Sequence, residues 1–193
     1  GVQVDVAALQ AGFDGFVDRR YGAMRAALRL PDGVEPDGQD LDGLRRLAAA
    51  HPGSYPLQVL AARAEMATGD PASAVPYLER ARRLVPIATG ADGPRRLLAA
   101  IARQQGDAQG AMRLLAEELA TDHTSLDAAR ELAAVAAAAG DAEHALVAHQ
   151  RIAEVWPYEA GAHTAIGRAA LGRRDTAEAL QRFRLALSAG PAH

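Results

Sequence analysis

The stretch "RQQGDAQGAMRLLAEEL" (residues 103–119) reads as the end of one helix, a Gly-Asp corner and the start of a second helix. Gly takes the left-handed conformation that stops a helix. The Asp after it caps the next helix by accepting a bond from a free backbone N–H. "AAAAGDAEHALVAHQRI" (136–152) says the same again: Gly140 and Asp141 lie 34 residues beyond Gly106 and Asp107, with Ala once more four residues after the Asp. Another 34 residues on, Arg174 and Asp175 keep the Asp and replace the Gly. Ala111, Ala145 and Ala179 hold the same interval, as do Leu98, Leu132 and Ile166. Pro157 and Pro191 close two units, and Pro52 and Pro86 bracket an earlier one that carries Gly69, Asp70 and Ala74. Four units follow, at about 55–88, 92–125, 126–159 and 160–193, the first joined to the second by three extra residues in "IATGADGP" (87–94).

Each unit has a physical logic. The recurring Ala belongs where the second helix crosses the first, since a larger side chain would push the two apart. The Pro ends the unit because it cannot continue a helix. This pattern resembles the tetratricopeptide repeat. The last unit matches it at Ile166, Gly167, Asp175, Ala179, Phe183, Ala186 and Pro191, and the first at Ala61, Ala62, Gly69, Ala74, Leu78, Ala81 and Pro86. The departures are His149 in a large-residue place, Glu118 in a small-residue place, and His123 for a Pro. Gln58, Arg95, Ala129 and His163 stand in the usual Trp position. The resemblance implies an all-α fold, a right-handed superhelical stack of antiparallel helix pairs over residues 51–193.

Composition agrees with helices and excludes much else. Hydrophobic residues make up 49% and aromatics only 4%. Such Ala-rich chains pack helices closely, whereas sandwiches and barrels call for Val, Ile and Tyr. With no Cys there is no disulfide, thiolate metal site or thiol catalysis. That absence does not choose a compartment; the cytoplasm is slightly favoured over the periplasm. The 21 cations are all Arg, with no Lys or Asn, as expected from the codon usage of a high-GC bacterium. A net charge of -3 argues against nucleic acid as a partner. So does the lack of stacking aromatics on the expected inner face. No apolar run approaches the ~20 residues of a membrane span, so no membrane insertion is expected.

Residues 1–50 form an N-terminal helical segment with a degenerate half-repeat. Val6, Leu9, Phe13, Phe16, Tyr21, Met24 and Leu28 recur at helical spacing, and the expectation is a cap covering the first repeat. "PDGVEPDGQD" (31–40) is a turn-rich connector. "LDGLRRLAAAHP" (41–52) reads as a lone second helix of an earlier unit. The opening "GVQVDVAAL", without a Met, suggests a processed chain or a piece of a longer one. At the other end, Leu180, Phe183 and Leu187 lack a covering helix, which points to continuation or to self-association through the C-terminal helix.

No catalytic chemistry emerges. None of the six histidines forms an i, i+4 pair, and no HExxH run exists, so no metal site and no cofactor is expected. Glu117, Glu118, Asp122 and His123 lack a neighbouring nucleophile or oxyanion hole. The Gly-containing loops lack the spacing of a phosphate cradle. The expected function is a non-catalytic scaffold that binds a peptide or helix of a partner protein, not an enzyme.

Where that partner would bind follows from the resemblance, which implies a concave wall built from the first helix of each unit. There this sequence places Val59, Arg63, Met66, Arg96, Arg103, Asp127, Arg130, Thr164, Arg168 and Leu171. The peptide-binding candidates are Arg63, Met66, Arg96, Arg103, Asp127, Arg130 and Arg168. Several guanidinium groups suit carboxylates through bidentate bonds, so the partner is expected to offer an acidic segment, with Asp127 and Glu131 as internal competitors. An alternative comes from "AGFDGFVDRRYGAMRAALR" (11–29). It resembles the helical link after the metallopeptidase domain in some bacterial gluzincin-like proteins that also carry these repeats. On that reading the chain is the helical tail of a larger enzyme.

Overall fold

The computed structural model describes residues 5–189. Among them are ten α-helices and no strand, so the chain is all-α. It divides into two compact units, residues 1–88 and 89–193. The division falls inside the "IATGADGP" stretch. No helix among the described residues is long and apolar enough to cross a membrane.

The first unit holds α1 (Val6–Ala27), α2 (Leu41–Ala50), α3 (Tyr55–Ala67) and α4 (Pro71–Leu84). Here α3 and α4 form a hairpin and α2 packs on α3. Ala61, Ala74 and Ala81 are fully buried at the crossing, with Leu57 and Leu78 beside them. Leu44 and Ala48 of α2 join this core against Ala61.

The second unit holds α5 (Pro94–Gln104), α6 (Ala108–Thr121), α7 (Leu126–Ala139), α8 (Ala142–Val155), α9 (Ala160–Gly172) and α10 (Thr176–Ser188). Its hairpins are α5/α6, α7/α8 and α9/α10, and α6 packs on α7 as α8 packs on α9. The periodic residues Leu98, Leu132 and Ile166 lie in the core, as do Ala111 and Ala179, while Ala145 is half-buried.

The corners form as their sequence dictates. Gly69, Gly106 and Gly140 all take positive φ, between 72° and 89°. The Asp that follows caps the second helix in each case: Asp107 accepts from the Gly110 N–H at 2.8 Å and Asp141 from the His144 N–H at 3.0 Å. Arg174 adopts φ 63° at the fourth corner, the one non-glycine with positive φ among the described residues.

Two of the polar residues standing in the Trp position, Gln58 and His163, are buried and bonded. Gln58 donates to the Ala48 carbonyl at 2.9 Å, and the His163 ring meets the Pro157 carbonyl at 2.8 Å. Each ties its helix back to the end of the preceding one.

One expectation holds only in part. The N-terminal helix meets the first repeat but leaves most of its apolar stripe uncovered: Val6, Leu9, Phe13 and Phe16 are more than half exposed. Within its unit α1 packs against α4, and its one buried residue is Ala27, in its last turn. On the C-terminal helix Leu180 and Leu187 are exposed, whereas Phe183 is half-buried against Gly167 of α9.

Candidate functional site

The candidate residues divide between the two units. In the first, Arg63 is exposed on α3, and Val59 and Met66 are half-buried beside it. The strongest electrostatic feature near them faces α2. Glu65, 2% exposed, takes a bidentate grip from Arg45, with bonds of 2.7 and 2.9 Å. Those bonds hold the Arg45 guanidinium even more firmly protonated than usual.

In the second unit the first helices of successive pairs stand side by side, as two ion pairs demonstrate. Arg96 of α5 bonds Glu131 of α7 at 2.5 Å. Arg130 of α7 bonds Glu159, the N-cap residue of α9, at 2.7 Å. Arg96 is nearly buried, its side chain 10% exposed. Two of the five arginines expected to greet a ligand are therefore neutralised by a carboxylate of the next hairpin. Asp127 is not the neutraliser; it is exposed, with no ion pair among the described residues.

What remains cationic on this face is Arg103 and Arg168. Both are exposed, and neither has a hydrogen bond or ion pair among the described residues. Arg103 overhangs a cavity of about 290 Å³, lined by Gly106, Ala108, Ala134, Val135, Ala138 and Ala139. Its floor is methyl groups on α7, with Ala134 and Ala138 exposed. So small a floor lets a visiting backbone or apolar side chain approach closely, with a guanidinium at the rim.

Sequence reasoning missed this alanine floor, because exposed and buried Ala look alike in a helix where Ala fills both faces. It also missed an aromatic pair at the α8–α9 corner. Trp156 and Tyr158 are exposed and meet edge to face at 5.8 Å. The signal was present in "WPYE", two aromatics flanking a Pro in an aromatic-poor chain.

Glu118 has a third kind of role. It is fully buried on α6, and one carboxylate oxygen accepts from the Gly90 N–H at 2.7 Å, while the other has no hydrogen-bond partner. It thereby pins the inserted stretch to the α5/α6 hairpin. Burial raises its pKa, and the Gly90 bond and the Arg95 and Arg96 charges partly oppose the rise. The pKa of His149, in the large-residue place of α8, is pushed down by burial, against the pull of Glu159. Among the described residues no group of three or more His, Asp or Glu is placed to hold a metal ion.

Helix hairpins in series, with Ala at the crossings and Gly-Asp at the corners, define a helical-repeat solenoid of the tetratricopeptide type. No family model matches the chain, and no curated protein matches it. Among solved structures it is similar to MamA, at TM-score 0.56 and 20% identity over 97% of this chain and 96% of that one. An AMB-1 MamA structure gives 0.57 and 17%, covering 98% and 96%. YrrB, described as a TPR protein with an unusual peptide-binding site, gives 0.54 and 15%, covering 94% and 85%. At these identities the likeness is one of fold.

Proposed function

We propose that this chain is a non-catalytic protein–protein interaction scaffold, and that the face formed by α5, α7 and α9 holds a peptide or helix of a partner protein. The observation that carries this reading is the Ala-floored cavity with Arg103 at its rim and no counter-ion there. An apolar side chain of the partner fills the cavity, and a carboxylate next to it meets Arg103, with Arg168 as a second contact. Arg96 and Arg130 serve the stack instead. The structural relative YrrB, described as a TPR protein with an unusual peptide-binding site, supports a peptide as the kind of ligand. The acidic character of the ligand rests on Arg103 and Arg168 alone.

The test uses a fluorescein-labelled amphipathic peptide of Leu and Glu, and its Leu/Arg counterpart, followed by anisotropy at rising salt. The acidic peptide is expected to bind more tightly, to weaken with salt, and to weaken at least tenfold with Arg103→Gln or with Ala138→Leu, which fills the cavity. Equal binding of both peptides, or no effect of either substitution, overturns the reading.

A second reading is favoured by α10, whose Leu180 is exposed and whose Leu187 is 82% exposed. Self-association through this helix predicts that Leu187→Arg abolishes a concentration-dependent rise in mass on light scattering.

A further inference from the structure

The exposed side chains of α1 are not scattered. Val6, Leu9, Phe13 and Phe16 follow one another at intervals of 3, 4 and 3, and are 75, 61, 59 and 53% exposed. Those intervals lay the four on one stripe, the a and d positions of a heptad. Between residues 6 and 16 the sole charge is Asp14, which lies off the stripe and accepts from Gln10 at 2.9 Å. The next a position, however, is Arg20.

We propose that this stripe is a homodimer surface, on which α1 of one copy lies antiparallel to α1 of a second. The pattern is complementary to itself in one register. Turned end over end, Val6 faces the second copy's Phe16, and Leu9 faces its Phe13. Each layer then sets a large ring against a smaller aliphatic side chain, the combination that fills a helical seam. Asp14 comes level with the second copy's Ala8, so no like charges meet. Sliding the pair by one heptad puts Arg20 opposite Leu9 and the two phenylalanines opposite each other, so charge and size select the first register. The arrangement is isologous and closes on itself as a dimer.

The area suits a reversible association. The four side chains expose on the order of 450 Å² per copy, and with their flanking residues two copies bury roughly 1,000–1,200 Å², the lower edge of specific interfaces. This surface is built from α1, and none of its residues belongs to α5, α7, α9 or α10.

The experiment uses the full chain, which has no Cys of its own. In the proposed register residue 12 borders the seam and faces its own symmetry mate, whereas residue 11 points away. A side chain added at Gly12 meets open space, so Gly12→Cys is tolerated. A short bismaleimide is expected to link Gly12→Cys into a covalent dimer and to leave Ala11→Cys largely uncrosslinked. In sedimentation equilibrium the wild type should rise from one copy toward two through the micromolar range. Phe13→Glu should raise the dissociation constant at least tenfold with unchanged helical circular dichroism, and Leu187→Arg should have no effect. A monomer at every concentration, a dimer indifferent to Phe13→Glu, or equal crosslinking at residues 11 and 12 overturns the proposal.

Discussion

At position 174 an arginine does a glycine's work. Left-handed backbone costs an L-residue roughly 1–2 kcal/mol relative to glycine, and the three other corners use Gly. Arg174→Gly should therefore stabilise the chain by about 1 kcal/mol, offset in part by the extra freedom of Gly in the unfolded chain. The check is a higher urea midpoint at an unchanged slope. Position 167 is the opposite case. A Cβ there would stand 2.7 Å from the Phe183 ring, so Gly167→Ala should cost about 1–3 kcal/mol by overpacking the α9/α10 crossing. Both positions were legible as sequence, Arg174 as the broken corner and Gly167 as the small residue of the repeat. The bonds made by Gln58 and His163 were not. Periodicity names the place a residue occupies, but it does not show which backbone carbonyl lies within its reach.

At the scale of elements, Glu118 on α6 and the inserted 87–94 stretch are one device. A carboxyl whose folded pKa lies above its unfolded value binds its proton more tightly when folded. Its contribution is fully present below the unfolded value of 4.5 and is lost as pH rises through the folded one. The stability of the wild type relative to Glu118→Gln should thus fall as pH is raised from about 4 to 7, because Gln keeps an acceptor for Gly90 without the buried charge. Paired urea titrations across that range measure it; a constant difference would contradict it. Asp141 carries the opposite sign. Bonds from the His144 backbone and ring lower its pKa, so its contribution is present above 3.8 and is lost on further acidification. Helix α1 shows why elements are harder to place than to find. Its heptad spacing was plain in residues 6–16, yet spacing identifies which side chains share a face and not what covers that face.

Across the whole molecule the hairpins form two compact units in which the helices after α1 pack chiefly against their sequence neighbours, so stability is gathered locally, repeat by repeat. The Arg96–Glu131 and Arg130–Glu159 ion pairs of the second unit follow the same rule, since each joins one hairpin to the next. Arg96→Ala, which removes the better buried partner, should cost about 1–2 kcal/mol, and the half-exposed Arg130→Ala under about 1 kcal/mol. Neither Arg103→Gln nor Arg168→Gln should shift the urea midpoint measurably. Stability and peptide binding are thus expected to separate by residue along one helix face. The arginines of that face were legible as a recurring set, but their division into structural and available groups was not. It depends on Glu131 and Glu159, which lie 35 and 29 residues from their partners. The corner between α8 and α9 has a practical consequence as well. Trp156 is the chain's single Trp, and its ring lies half in water beside Tyr158. Its emission wavelength is consequently a built-in gauge of that one corner, readable without any attached dye whenever something settles on it or pulls the two hairpins apart.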